Sequence, residues 1–134
     1  MAGSAESDEE RATRDAVEAL YAAYFTGDPD GMLATMDDSV NVRFLGMVDL
    51  DGIDAAREFF RSNTMMLVGL DFRIRKLIVD GRFAAAIWDE SATTINGEPY
   101  ENHGVDVFEV VNGRIVAVHE NNDVTIHRRH FRRR

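Results

Sequence analysis

The sequence has no cysteine and only two prolines among its 134 residues. The lack of cysteine excludes disulfide frameworks, thiolate nucleophiles and cysteine-based zinc sites. No apolar run approaches the roughly 20 residues that a membrane-spanning helix needs. The small, acidic stretch from Met1 to Glu10 lacks the basic and apolar regions of a signal peptide. We therefore expect a cytoplasmic protein that does not bind membranes.

Several well-known functional motifs are also missing. The chain contains no GxGxxG segment, no Walker A loop and no GxSxG segment, which excludes the common nucleotide-binding and serine-hydrolase classes. Some side chains are of metal-ligand type, but no established spacing links them: His103, His119, Glu120 and Asp123. The sequence therefore predicts neither a metal nor a cofactor.

Acidic residues dominate the charge. The chain has 24 Asp and Glu against 15 Lys and Arg, a formal net charge of −9, and five of the arginines fall within 128–134. Because an acidic surface repels phosphates, we expect no binding to nucleic acid. We interpret the arginine-rich segment as a solvated terminus, with binding to an anionic surface as the alternative.

Three Asx-Gly steps recur with their glycines 16 residues apart, at Gly81, Gly97 and Gly113. This dipeptide favours the type I′ turn of β-hairpins, because both residues tolerate positive φ. The segments between the steps are rich in β-branched and aromatic residues. The spacing predicts four long antiparallel strands, over 69–79, 82–95, 98–111 and 114–126, in a sheet that twists and curls.

The first half of the chain has helical periodicity. An apolar stripe at positions i, i+3, i+4 and i+7 predicts a helix over 9–25, formed by Val17, Leu20, Tyr21 and Tyr24. A short second helix is predicted to carry Met32, Leu33 and Met36, and a third to cover 53–63. Between them, alternating apolar residues predict a short strand over 40–45.

This order of elements is typical of an α+β fold. We expect a cone-shaped, curled antiparallel sheet with three N-terminal helices packed over its concave face, so that helices and sheet enclose a cavity. The folded domain is predicted to cover 9–127. It would lie between a flexible acidic N-terminus over 1–8 and a basic tail over 128–134.

Four segments resemble those of a known protein family: YAAYFTGD at 21–28, DDSV at 37–40, GIDAAREFF at 52–60 and VDVFEVVNGRIV at 105–116. With them the chain resembles the nuclear transport factor 2 superfamily, and within it the SnoaL-like polyketide cyclase and ketosteroid isomerase-like group. The resemblance runs from about Val17 to Val124. This fold hosts isomerases, dehydratases, cyclases, epoxide hydrolases and binding proteins, so residues rather than the fold must decide the activity.

The resemblance implies roles for individual residues. The base of steroid isomerases falls at Arg43 and their oxyanion-hole tyrosine at Leu20, so both groups are missing here. Their second Asp is present as Asp106.

The limonene epoxide hydrolase branch is similar in another way. Its two carboxylates fall at Glu90 and Glu120, which are both acidic here. Trp88 occupies the position of the arginine that lies between those carboxylates in the family. Asn41 and Arg43 occupy the positions of the family's tyrosine and asparagine. The carboxylates are thus present, whereas the residues that orient them differ.

Asp106 lies between two valines of a predicted central strand, where an unpaired acid is unusual. It is either a proton donor or base with a raised pKa, or half of a structural ion pair. A two-residue turn at 112–113 would place His119 opposite Asp106, whereas the resemblance favours Glu120. We favour Glu120 as the neighbour of Asp106, an arrangement that requires a β-bulge, and keep His119 as the alternative.

The remaining candidates complete the predicted site. We expect Glu90 to lie opposite His103 and to move protons or to form a surface pair. Arg43 would stabilise developing negative charge or neutralise Asp106. The candidate pocket residues are Tyr24, Met32, Met36, Asn41, Trp88, Asn102, Phe108 and His119.

Two functions are open. The first is a cofactor-free acid–base enzyme of the isomerase, cyclase or dehydratase type that acts on a small, largely apolar molecule, with epoxide opening as its mechanistic rival. The second is a non-catalytic binding or assembly module. The apolar outer face of the sheet predicts a homodimer, as the resemblance also implies, with Val105, Val107 and Ile115 at the contact.

Overall fold

The computed structural model describes residues 5–63 and 67–130. Helix α1 (Asp8–Phe25) begins at a capping box, in which the Ser7 hydroxyl accepts from the Glu10 amide and the Glu10 carboxylate accepts from the Ser7 amide, both at 3.1 Å. Helix α2 (Pro29–Leu33) follows, capped by the Asp28 side chain. Strands β1 (Met36–Phe44) and β2 (Val48–Asp51) then precede helix α3 (Ile53–Asn63).

The second half is a meander of long strands. Strands β3 (Leu67–Asp80), β4 (Phe83–Thr94), β5 (Pro99–Val111) and β6 (Arg114–Asn122) lie within a few residues of the predicted spans. Helix α4 (Val124–His130) occupies the place where the sequence predicted the end of the last strand and the first part of the basic tail. Residues 1–4 of the predicted flexible N-terminus and 131–134 of the tail lie outside the described residues.

The six strands form one curled, unclosed sheet in the order β2-β1-β6-β5-β4-β3. Its neighbours are antiparallel except for β1 and β6, which run parallel. The expectation of a purely antiparallel sheet is therefore wrong at that pair. Because α3 returns the chain to the far edge, β6 comes to lie beside β1 in the same direction.

Helices α1 and α3 cover the inner face of the sheet: α1 packs across β3 to β6, and α3 packs on β1 and β2. Helix α2 is a single short element that packs between those two. The α+β class is confirmed, whereas the expected set of three N-terminal helices over one face is not. Within the described residues there are two long helices, the short α2 and the C-terminal α4. Met36 begins β1 and does not belong to α2.

Only one of the three hairpins has the predicted turn. At 112–113 both central residues have positive φ, 52° for Asn112 and 76° for Gly113, as a type I′ turn requires. The loop before β4 is centred one residue later, on Gly81 and Arg82. The loop at 95–97 has three residues, with Gly97 alone at positive φ. This longer loop shifts the register of β5 by one residue against the prediction.

Candidate functional site

A pocket lies between the helices and the inner face of the sheet. Its volume, counted as space open to the centre of a water molecule, is ≈ 90 Å³. One water needs about 10–15 Å³ on this measure, so the pocket has room for a small organic molecule. The walls are mostly apolar and aromatic, and include Leu20, Met32, Phe44, Phe59, Phe72 and Phe108. Three carboxyl groups also line it, from Glu90, Asp106 and Glu120.

Asp106 lies on β5 and is 4% exposed. The hydroxyl of Tyr21 on α1 donates to its Oδ2 at 2.6 Å, while its Oδ1 has no hydrogen-bond partner among the described residues. Burial raises the pKa of Asp106, whereas the Tyr21 hydroxyl and the neighbouring Trp88 indole N–H act in the opposite direction. Asp106 is therefore a buried carboxyl with two nearby donors and one free oxygen.

Glu120 lies directly beside Asp106 on β6. A register shift after Glu109 brings it there, which is the β-bulge that the sequence argument required. Its buried Oε2 has no partner among the described residues. Burial raises the pKa of Glu120 well above its ordinary value, and the charges of Asp106 and Glu90 raise it further. The pKa values of both carboxyls of this pair are thus raised, and only that of Asp106 is opposed by hydrogen-bond donors.

Glu90 on β4 forms a second carboxyl–tyrosine pair, in which the Tyr24 hydroxyl donates to its Oε2 at 2.9 Å. Burial raises the pKa of Glu90 to about 7, against the lowering effect of the Tyr24 hydrogen bond. Its neighbour on β5 is Asn102, and the predicted partner His103 pairs with Asp89 instead. The correction follows from the longer loop at 95–97.

Trp88, Gly104 and Asn122 occupy one row across β4, β5 and β6. A Cβ atom on Gly104 would lie 2.7 Å from Cζ2 of Trp88 and 3.0 Å from Cα of Asn122. Only glycine therefore lets the indole lie against the backbone at this point. The Trp88 Nε1 and the Asn122 Oδ1 are both buried and have no hydrogen-bond partner among the described residues.

Phe72 on β3 contacts the three aromatic side chains that carry the hydrogen-bond donors of the site. Its ring is stacked on Tyr21 and on Trp88, with centroids 5.4 and 5.2 Å apart, and meets Tyr24 edge-on at 5.2 Å. All three of these neighbours direct polar atoms towards the carboxyl groups. The aromatic cluster thus fixes where the donors meet the acids.

Three predicted site residues lie on the opposite face of the sheet, and their expected place in the pocket is wrong. Arg43 is half-exposed and pairs with Asp49 at 3.3 Å. His119 Nε2 lies 3.1 Å from Asn41 Oδ1. Since side chains alternate along a strand, the inward positions of Phe44 and Glu120 turn their neighbours Arg43 and His119 outward.

Two further candidates lie inside the protein but away from the pocket. Met36 is 1% exposed and belongs to the core. The Asn102 oxygen accepts from the Asp123 amide at 3.2 Å, and its Nδ2 donates to the Tyr100 hydroxyl at 3.0 Å. Asn102 therefore secures the chain just before α4. The other predicted wall residues do line the pocket: Tyr24, Met32, Trp88 and Phe108.

Tyr21 was not predicted as a site residue. It belongs to the apolar stripe of α1, and the resemblance directed attention to Leu20 beside it. The signal was available, because a tyrosine on a core-facing stripe needs a partner for its hydroxyl. Asn122 was likewise not predicted as part of the site.

Neither a metal centre nor a membrane helix is found in the part of the chain that the structure describes. Over 5–63 and 67–130, no three His, Asp or Glu side chains are arranged to hold a metal ion. The three pocket carboxyls thus do not form such a group. Within the same ranges, no helix has the length and apolar character needed to cross a bilayer.

Comparison with solved structures shows the fold. An NTF2-like protein of unknown function from Burkholderia pseudomallei has 21% identity and a TM-score of 0.81, over 91% of this chain and 98% of the other. A candidate SnoaL-like polyketide cyclase from Jannaschia has 15% identity and a TM-score of 0.84, over 96% of each chain. An LEH-like epoxide hydrolase from M. tuberculosis has 22% identity and a TM-score of 0.76, over 88% and 87%.

No curated protein matches the sequence. The family model for the SnoaL-like domain does match, over residues 17–118. That span runs from the middle of α1 into β6 and includes the carboxyl groups Glu90 and Asp106. The chain therefore belongs to the SnoaL-like domain family.

Proposed function

We propose that this protein is a cofactor-free acid–base enzyme that isomerises, cyclises or dehydrates a small, largely apolar molecule. The observation that carries the proposal is the Asp106–Glu120 pair, two neighbouring carboxyls in an apolar pocket, each with one oxygen that has no hydrogen-bond partner among the described residues. Chemistry of this type needs only a base and an acid placed on either side of a substrate, away from bulk water.

The surroundings divide the two roles. Two adjacent carboxyls in an apolar site do not both ionise. Negative charge is favoured on Asp106, which receives the Tyr21 hydrogen bond and has the Trp88 indole nearby. Glu120 faces like charges, so it keeps its proton. In the proposed reaction, Asp106 Oδ1 accepts a proton from substrate carbon while Glu120 donates one to substrate oxygen.

Epoxide opening is the second candidate, favoured by Glu90 and Glu120 both lining the pocket and by the similarity to the LEH-like fold. In that reading, the acids would activate water and protonate the epoxide oxygen. The arginine that the sequence offered for this chemistry, Arg43, lies outside the pocket. The acid–base pair needs no such cation, and we therefore place it first.

The test is turnover of a panel of small terpenoid and polyketide-like compounds, including epoxides, followed by mass spectrometry. Asp106→Asn and Glu120→Gln should each reduce turnover at least ~10²-fold, the usual contribution of an acid–base group. Arg43→Gln is the matched control and should retain it. A diol product would select the epoxide reaction. Full turnover in both acid variants would contradict the proposal.

A non-catalytic binding role makes the opposite prediction. If the pocket only binds, the neutral variants of Asp106 and Glu120 should bind the same compounds as the wild type, with no product from any of them. Ligand binding is measured by the emission of Trp88, the only tryptophan of the chain, which lines the pocket.

We also propose that the protein is a homodimer through the outer sheet face. Ile87 pairs with Val105 across β4 and β5, and with Val107 these residues form an exposed apolar row. Ion pairs lie on the strands to either side of this row, such as Arg75–Asp89 and Arg43–Asp49. Because each pair offers one positive and one negative side chain, this surface suits a contact between two identical copies. Ile115 is fully buried and cannot take part, contrary to expectation. Val107→Asp should give a monomer in sedimentation analysis; a wild-type monomer would contradict the dimer.

A further inference from the structure

The pocket contains buried polar atoms whose hydrogen-bonding capacity is unused. Among the described residues, its buried polar atoms without a partner are three oxygens, from Asp106, Glu120 and Asn122, and one N–H, from Trp88. Three tyrosines line the pocket, and the hydroxyl of each is already in use: Tyr21 donates to Asp106, Tyr24 donates to Glu90, and Tyr100 accepts from Asn102 Nδ2. A buried polar atom without a partner costs free energy, so these four atoms are positions that a ligand would satisfy.

Two of the four atoms belong to residues that meet over Gly104. Trp88 and Asn122 lie on the strands to either side of it, in one row of the sheet. The indole edge and the Asn122 backbone both come within 3.0 Å of the position that a Gly104 Cβ would take. The residues that carry this donor and this acceptor therefore lie close together in the sheet, and Trp88 is only 5% exposed.

A hydroxyl group matches this arrangement better than other common groups. A hydroxyl both donates and accepts hydrogen bonds, so it can accept one from the Trp88 N–H and donate one to Asn122 Oδ1 at the same time. An ether or ketone only accepts and would leave Asn122 Oδ1 unsatisfied. A carboxylate would bring a negative charge towards Asp106, in a pocket where no described lining residue is Lys, Arg or His.

We propose that Trp88 and Asn122 form a subsite for a ligand hydroxyl, so that the molecule bound in this pocket is an apolar ring compound bearing an alcohol. The subsite adjoins the proposed acid–base pair, since Asn122 is two residues beyond Glu120 on the same face of β6. That spacing is about 7 Å along a strand, a distance that a six-membered ring spans. The inference rests on the proposed function for its pocket, but not on any catalytic role.

The test compares three probes of similar size: cyclohexanol, methoxycyclohexane and cyclohexanecarboxylate. None of them absorbs where Trp88 emits, so fluorescence of the full chain reports binding. Cyclohexanol should bind at least ~10-fold more tightly than the ether, because a missing hydrogen bond leaves a buried acceptor unpaired. The carboxylate should bind most weakly. Equal affinity for alcohol and ether, or tighter binding of the carboxylate, would overturn the subsite.

Two matched variants locate the effect. Asn122→Leu should remove the preference for the alcohol, because it deletes the amide at similar size. Asn121→Leu, on the outward position next to it, should keep the preference; its amide bonds the Val105 carbonyl at 3.2 Å. A preference that survives Asn122→Leu would contradict the assignment, provided that circular dichroism shows the variant to be folded.

The wild-type protein gives a readout that needs no variant. With a single tryptophan, its ¹H–¹⁵N spectrum has one indole signal, which should move downfield when cyclohexanol accepts from Trp88 Nε1. An unmoved signal at saturation would overturn the subsite. The two proposals fail separately: full turnover in both Asp106→Asn and Glu120→Gln contradicts the acid–base function, whereas the probe series tests only the hydroxyl subsite.

Discussion

The hydroxyl of Tyr21 donates a 2.6 Å hydrogen bond to Oδ2 of Asp106, which joins the middle of α1 to the middle of β5. Both residues are 4% exposed. A charged acceptor without such a donor is costly in an apolar interior. The contact therefore favours the charged form of Asp106, and it ties the helix to the site.

Tyr21→Phe should raise the pKa of Asp106, because the hydrogen bond stabilises its charged form and the variant removes it. We also expect the free energy of unfolding to fall by about 1–3 kcal/mol, the usual result of removing one partner of a buried hydrogen bond. The measurements are the pH dependence of Trp88 emission and urea unfolding. Tyr24→Phe is the control, since it touches Glu90 instead. An unchanged pH midpoint in Tyr21→Phe would refute the role.

Glu90 should make the protein less stable as the pH rises. Its native pKa is about 7, above the ordinary value of 4.5, so between these two pH values the unfolded chain releases a proton that the folded chain keeps. The free energy of unfolding should therefore fall through this window, by on the order of 3 kcal/mol from this group, and level off above pH 7.

Glu90→Gln tests the origin of that loss. Urea unfolding at pH 4, 6 and 8 should show that the variant gains stability relative to the wild type as the pH rises. Glu58→Gln removes a charge from an exposed helix position and should show no such trend. A difference between Glu90→Gln and wild type that does not depend on pH would count against a buried carboxyl with a raised pKa.

Phe72 acts as a positioning residue, because it contacts the three side chains that direct donors to the acids. Phe72→Leu should shift the pH profile of turnover to higher pH, since looser donors stabilise the carboxylates less. Phe72→Tyr retains the ring and should restore the profile. A purely structural role would instead lower stability while the pH midpoints stay fixed, which NMR titration of the carboxyl carbons would reveal.

Gly104→Ala should disturb the site from within the sheet. The new Cβ would lie 2.2 Å from the Asn121 carbonyl oxygen and 2.7 Å from the Trp88 ring, so the backbone or the indole must move. We expect roughly 1–3 kcal/mol of lost stability, typical of overpacking, and a shifted Trp88 emission maximum. The substitution Gly97→Ala is the contrast, because nothing lies near that position and only its φ of 82° is strained. Unchanged Trp88 emission in Gly104→Ala would contradict the packing.

Much of the fold could be predicted because its signals are local. The stripe of α1, the glycine spacing and the alternating strands gave most element boundaries to within a few residues. The expectation that Glu120 faces Asp106 was also confirmed in its geometry. By contrast, the parallel pairing of β1 with β6 was missed, because it depends on how α3 returns the chain and not on any local pattern.

The inward or outward direction of single residues was harder to predict. Arg43 and His119 were assigned to the pocket, yet both lie on the outer face. One residue of register reverses the face of every side chain on a strand, so an error in one loop or one bulge is enough to misplace them. The pairing of Glu90 with Asn102 in place of His103 has the same origin, in the three-residue loop at 95–97.

The sequence by itself determined the α+β class, the family resemblance and the presence of acids on strands that must be largely buried. Only the tertiary structure decided which donors those acids receive. Tyr21 reaches Asp106 across 85 positions of the chain, and Tyr24 reaches Glu90 across 66. The chemistry of each carboxyl depends on burial and on such distant neighbours, and these exist only once α1 has packed against the sheet.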